Sequence, residues 1–154
     1  QHGWPALARK LYGTVQPDSP LEFDFTTYAR PAPTSADYFD TLRNASICIG
    51  VNRYPSLRFP FDRPDSYSRL RDIEAPMAGA CYLTEWTEGL DQLYDLGTEI
   101  ECYRSSKELA ARSAELRADP ARRKRLRRNG QRRALTEHSV PRSLEKVVQK
   151  LGIA

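Results

Sequence analysis

Long apolar runs, paired cysteines and clustered histidines are all missing from this chain of 154 residues. A helix that spans a bilayer needs about 20 predominantly apolar residues, and no such run is present, so no spanning helix is expected. The three cysteines, Cys48, Cys81 and Cys102, are odd in number and lack metal-ligand spacing. Each falls in an expected strand. Buried free thiols in a reducing, cytoplasmic compartment are therefore expected, rather than metal or redox chemistry. His2 and His138 are isolated, with no Ser, Cys or Asp arranged around them as a triad. Both read as surface or capping residues. There is no internal repeat and no low-complexity tail.

Charge is present but unevenly placed. The net charge is +4, yet the stretch 117–133 alone holds nine Lys or Arg and one Asp, so the rest of the chain sums to −4. The basic character belongs to one expected helix and not to the domain surface as a whole. Within that helix Leu126, Gly130 and Ala134 recur at i, i+4 and i+8 with shrinking size, as for an outer helix packed closely on a sheet domain. Arginines circle the rest, and a solvated face is the expectation.

Along the chain, a short helix is expected over 4–12 and a proline-rich extended region over 14–35, with a weak edge segment at 21–28. Ser35 is read as the cap of a helix through Asn44 that turns Tyr38, Phe39 and Leu42 inward. A buried parallel-type strand is expected at 47–51, then a loop over 52–65. Leu70, Ile73 and Met77 recur at helical spacing and read as a core-facing stripe, with Ser66 or Ser68 as the cap and Gly79 as the stop. Strands are expected at 81–84 and 100–103. Three helices follow: one opened by Ser105 and Glu108 as a capping box, one by Asp119-Pro120, and one by Val140-Pro141 with Leu144, Val147, Val148 and Leu151 as its apolar face. Alternating strands and helices imply an α/β fold with a parallel sheet. Ligands of such sheets bind at the carboxyl ends of the strands, which places 52–66, 84–89 and 103–105 on one rim. A helix opening near Tyr67 would carry unpaired N–H groups suited to a phosphate.

The order of motifs in 66–104 adds a resemblance. Leu70-Arg71-Asp72-Ile73-Glu74-Ala75 precedes Ala78-Gly79-Ala80, a strand, Thr84-Glu85, and Glu88-Gly89-Leu90. Gly97-Thr98-Glu99, Tyr103-Arg104, Ser106-Lys107-Glu108-Leu109, Asp119-Pro120, the stretch 127–130 and Glu137-His138 continue the series. Over 38–151 this resembles the donor-binding half of GT-B glycosyltransferases, in the family-4-like glycosyl transferases group 1, and most closely its spore-maturation-protein-like branch. The series in order is specific; a single piece such as Glu-Ala-x-x-x-Gly is not.

The resemblance implies a Rossmann-like three-layer α/β domain with a parallel sheet, one half of a GT-B fold. It also implies that 1–154 is a single donor-binding domain and a C-terminal fragment of a longer two-domain chain. The N-terminal acceptor-binding domain would then lie upstream, and the isolated chain would lack turnover. It implies a nucleoside-diphosphate sugar as substrate and no cofactor. By the resemblance, Glu74 contacts the ribose hydroxyls, and a carboxylate can accept from two vicinal hydroxyls. Arg71, Arg69, Ser68, Tyr67, Ser66 and Arg53 complete the expected donor site, and Arg58 and Arg63 could add to the clamp. The family often carries a second glutamate eight residues before Glu74. Ser66 stands there, with Asp65 beside it as the candidate sugar contact. No catalytic residue is assigned within the chain.

The residues alone leave two classes of function. One is the nucleotide-sugar-binding domain of a glycosyltransferase that moves a sugar from a nucleoside diphosphate to an acceptor hydroxyl. In the other, a non-enzymatic α/β module uses the 117–133 helix for nucleic acid, anionic lipid or a protein partner. Peripheral membrane association stays open, and nucleic acid is not expected as a partner. Glu74 itself could be either a ribose contact or a structural ion-pair residue.

Overall fold

The computed structural model describes residues 27–54 and 65–152. The chain divides into two units, one of Gln1–Ala32 and Tyr54–Asp65, the other of Pro33–Arg53 and Ser66–Ala154. In the first, the described residues are the exposed segment 27–32 and the half-buried Tyr54 and Asp65. The expected helix at 4–12 and most of the expected edge segment lie outside the described residues, as do Arg58 and Arg63.

The second unit is α/β. Helix α1 (Ser35–Asn44) leads to strand β1 (Cys48–Gly50). The two-residue strands β2 (Arg53–Tyr54) and β3 (Asp65–Ser66) pair as a ribbon. Then come α2 (Arg71–Met77), β4 (Tyr82–Glu85), α3 (Leu90–Leu93) and β5 (Glu101–Tyr103). Helices α4 (Ser106–Ala118), α5 (Pro120–Glu137) and α6 (Val140–Leu151) close the chain. Strands β1, β4 and β5 form a parallel sheet in that order, with Gly50 opposite Thr84 and Glu85 opposite Tyr103. Successive side chains of a strand point to opposite faces. Tyr82 accordingly joins Leu42, Ala75, Leu90, Tyr94 and Ile100 in one core, while Leu83 joins Cys81, Tyr103, Leu116 and Leu126 in the other. The result is the Rossmann-like layering that the alternating elements imply.

Several local signals act as the sequence suggests. Ser105 Oγ accepts from the Glu108 N–H at 3.2 Å, and the Glu108 carboxylate reaches back to the Arg104 N–H at 2.8 Å. Asp119 caps α5 by accepting from the Arg122 N–H at 2.7 Å, with Pro120 at the first helical position. Leu126, Gly130 and Ala134 are buried together. Gly130 must be glycine for space: a Cβ there would stand 2.5 Å from the Glu99 carbonyl oxygen.

Other expectations are corrected. Thr34, not Ser35, caps α1, accepting from the Asp37 N–H. Of the residues expected to turn inward, Leu42 is buried, Tyr38 half-buried, and Phe39 47% exposed. The stripe Leu70, Ile73 and Met77 is not the core face of α2. Leu70 is 69% exposed, whereas Asp72, Ala75 and Pro76 are buried. Small residues face inward because α5 runs close by, its Gly130 within reach of Pro76. Neither Ser66 nor Ser68 caps α2; Asp72 does that work from inside the first turn, accepting from the Arg69 N–H at 2.9 Å. The stop is as expected: Gly79 is left-handed at φ 82°, with Gly79 N–H donating to Pro76 O and Ala80 N–H to Ala75 O, a Schellman ending.

The arginines of α5 are not all solvated. Arg127 donates to Arg43 O at 2.7 Å, to Gly79 O at 3.1 Å and to Ala45 O, gathering carbonyls from the ends of α1 and α2. Arg122 pairs with Glu101 and Glu115, Arg123 donates to Leu116 O and Arg117 O, and Arg133 donates to Leu93 O. Lys124, Arg125, Arg128 and Arg132 are exposed and make no such bonds among the described residues; at 100° per residue they fall on one side, opposite the buried stripe. The apolar face expected for α6 is present and exposed, Leu144 at 59% and Leu151 at 64%. Among the described residues no helix is long and apolar enough to cross a membrane.

Candidate functional site

Parallel strands end together, so the residues just after β1 and β4 and those opening α2 share one rim. There the chain buries polar groups. Asp72 is fully buried and takes donors on both oxygens. Oδ1 accepts from Tyr82 at 2.7 Å and Thr84 at 3.0 Å; Oδ2 accepts from Ser68 Oγ and the Arg69 N–H, both at 2.9 Å. The Asn52 amide nitrogen donates to Asp72 Oδ2 at 3.2 Å and to Glu85 O at 2.9 Å. Gly50 has to be bare for this cluster to form, since a Cβ would stand 2.2 Å from the Tyr82 hydroxyl and 2.4 Å from Thr84 Oγ1.

Glu85 is the second buried carboxylate. Its Oε2 accepts from the Asn52 and Arg53 N–H groups, each at 3.2 Å, and its Oε1 accepts from the Arg53 guanidinium, through Nε at 2.8 Å and through Nη2. Burial alone would raise the Glu85 pKa, but the Arg53 fork and these backbone donors outweigh it and hold the carboxyl below its ordinary value. Beyond Glu85, the Trp86 N–H donates to Tyr103 O at 2.8 Å, and the Arg104 guanidinium lies over the Trp86 ring at 3.9 Å.

The expected donor residues fall into two neighbouring groups. Arg53, Ser66, Tyr67, Ser68 and Arg69 lie around the carboxylates just described. Ser66 Oγ accepts from the Thr87 hydroxyl at 3.3 Å, Arg69 Nη2 donates to Arg53 O at 3.0 Å, and the Arg69 guanidinium stands 5.3 Å from the Tyr67 ring centre. The opening of α2 is therefore not the bare cluster of N–H groups pictured from sequence: Asp72 already holds the Arg69 amide. Arg71 and Glu74 form the other group, on the side of α2 that faces α1. There the Tyr38 hydroxyl donates to Glu74 Oε2 at 3.2 Å. Asp65 belongs to the first unit.

Glu74 also borders an open groove of about 860 Å³ lined by Phe39, Ile73 and Met77 and by Val140 and Leu144 of α6. His138 stands at its end with Nε2 2.9 Å from Leu93 O, so that nitrogen carries the hydrogen. Ion pairing was the structural alternative for Glu74. Among the described residues no Lys or Arg pairs with it, and its only hydrogen-bond partner is Tyr38.

The sequence reading passed over Asn52, Asp72 and Glu85 as site residues. A spacing signal for Asp72 does exist: it stands three and four residues before Ala75 and Pro76, the small residues of the buried face. Asn52 and Glu85 carry only their places in the rim segments 52–66 and 84–89.

A family model described as glycosyl transferase-like matches residues 3–149. No curated protein and no solved structure matches the chain.

Proposed function

This chain belongs to the glycosyl transferase-like family, and we propose that its rim and the α1-facing side of α2 together bind the donor, a nucleoside-diphosphate sugar. The sugar passes from the leaving diphosphate to an acceptor hydroxyl: the bond from the anomeric carbon to the diphosphate oxygen breaks, and a bond to the acceptor oxygen forms. The acceptor's proton goes to a group that this chain is not assigned. In this reading the chain is the donor-binding half of a GT-B enzyme of the spore-maturation-like branch, with an acceptor-binding domain as its partner.

One observation carries the proposal. Glu74 is half-buried at the edge of a groove, and among the described residues it has no ion pair and no hydrogen-bond partner on Oε1. A partly buried carboxylate without a cation is costly unless something else satisfies it, and two vicinal ribose hydroxyls would do so. Arg71 lies near the Tyr38 hydroxyl on the same side of α2, and Arg53 and Arg69 lie at the rim. They are the groups assigned to the diphosphate, whose growing charge during departure fixed cations stabilise. The proposed chemistry draws on protein groups and calls on no cofactor.

The test is a melting-temperature panel of UDP, GDP, ADP and CDP against the chain. A ligand at 100 times its Kd adds about 2.7 kcal/mol to stability, well within reach of such a measurement. At least one diphosphate should stabilise the chain, and Glu74→Ala should weaken its binding about tenfold or more. If none of the four shifts the transition, the donor assignment is wrong.

A second reading rests on the exposed stripe Lys124, Arg125, Arg128 and Arg132, four cations with no ion-pair partner among the described residues. It makes α5 a surface for a polyanion. Binding to nucleic acid or anionic vesicles that falls steeply with salt, and that is lost on reversing these four charges, would favour it.

A further inference from the structure

We propose that Tyr38 is a positioning residue of the donor site: it fixes the Glu74 carboxylate in the orientation that reads the ribose. The inference rests on the donor reading above and goes beyond it, because it assigns a role to a residue on a different element, 36 positions away in sequence.

Three observations support it. The phenol donates to Glu74 Oε2 at 3.2 Å, and no other protein group bonds that carboxylate among the described residues. The phenol is itself held. Its ring is half-buried and meets Phe39 edge-on at 5.2 Å between centres, and α1 is pinned where it ends by the bonds from Arg127 to Arg43 O and Ala45 O. Its hydrogen is also secure. Burial raises the Tyr38 pKa, and Glu74 adds to this against the opposing pull of Arg71, so the hydroxyl remains a donor at neutral pH.

The chemistry follows from counting acceptor sites. A glutamate has three side-chain torsions and loses free energy when a ligand must freeze them. One bond to Oε2 restricts the carboxylate plane before the ligand arrives. Oε1 and the second lone pair of Oε2 then remain for two hydroxyls. Preorganisation of this kind improves affinity and selectivity without adding a contact to the ligand.

Calorimetric titration of the full chain with UDP, GDP and ADP and their 2′-deoxy counterparts reads the effect directly. The wild type should prefer the ribonucleotide. Tyr38→Phe keeps the ring and removes the donor. It should cut that preference about threefold to tenfold, the effect of one net hydrogen bond. Leu116→Ala, in the core on the other face of the sheet, should lower the melting temperature and leave the preference intact. In a double-mutant cycle the losses of Tyr38→Phe and Glu74→Gln should be non-additive, because one acts through the other.

An unchanged ribose preference in a folded Tyr38→Phe chain, with the preference lost in Glu74→Ala, overturns the Tyr38 assignment alone. Additive losses in the cycle also overturn it. If the wild type binds all six nucleotides without ribose preference, the donor reading fails and takes this inference with it.

Discussion

Tyr82 donates its hydroxyl hydrogen to Asp72 Oδ1 at 2.7 Å, joining the centre of the sheet to the first turn of α2. Both residues are buried, Tyr82 at 1% exposure and Asp72 at 0%. Burial, and then the neighbouring Asp72 charge, push the Tyr82 hydroxyl's pKa well above its ordinary value, so it serves as a standing donor. The pair ties together the groups that end β1, β4 and the loop before α2, and the rim has its shape because of it.

Replacing Asp72 should therefore cost more than an average core substitution. Asp72→Ala strands buried donors from Tyr82, Thr84 and Asn52, and an unsatisfied buried group costs about 1–3 kcal/mol. Asp72→Asn keeps the size but turns an N–H group toward at least one donor. Both variants should lower the midpoint of urea unfolding, alanine by more, while Tyr82→Phe loses only one bond. Equal midpoints for wild type and Asp72→Ala would show that the cluster contributes little.

Acid should loosen the rim through Glu85. Its folded-state pKa lies below the ordinary value of about 4.3, so its contribution is complete above that pH and fades as pH falls through the lower folded value. The wild-type melting temperature should drop across the range below about pH 5 more steeply than that of Glu85→Gln, which has nothing there to titrate. Arg53 is half-exposed, so salt should shrink the difference. Parallel acid profiles for the two chains would contradict this account of Glu85.

Charge reversal on α5 should divide its cations into two classes. Arg127→Glu removes the donor that gathers Arg43 O, Ala45 O and Gly79 O, where cations favour helix carboxyl ends. It should melt the chain several degrees lower. Reversal at Lys124, Arg125, Arg128 or Arg132 should stay within about 0.5 kcal/mol of wild type, as for ordinary surface sites. The pattern is checked by thermal melts of the five single variants.

Gly130→Ala should destabilise although alanine favours helix. The propensity gain is about 1 kcal/mol. The new methyl would stand 2.5 Å from the Glu99 carbonyl oxygen, a backbone atom that cannot swing aside. Overpacking of this kind costs about 1–3 kcal/mol, so the net change should be a loss. A higher melting temperature would mean that α5 shifts freely away from residue 99.

What the sequence by itself determined is short in range. Ser105 and Asp119 cap α4 and α5 because a side-chain oxygen needs only the N–H three residues on. Gly79 ends α2 because a left-handed residue is required there. The stripe Leu126, Gly130 and Ala134 and the alternation of strand and helix follow from chain periodicity, which already implies a parallel α/β sheet. Tertiary structure decided which side of α2 faces inward, because periodicity marks an apolar stripe but not the size of the space it must enter. Closeness to α5 admits Ala75 and Pro76 there and leaves Leu70 outside. It also decided partners. The phenol of Tyr38 meets Glu74 across 36 positions, and Arg127 finds the Arg43 carbonyl across 84. Buried polar groups must be satisfied by whichever donors packing brings near, and that neighbourhood exists only once the sheet and its helices are assembled.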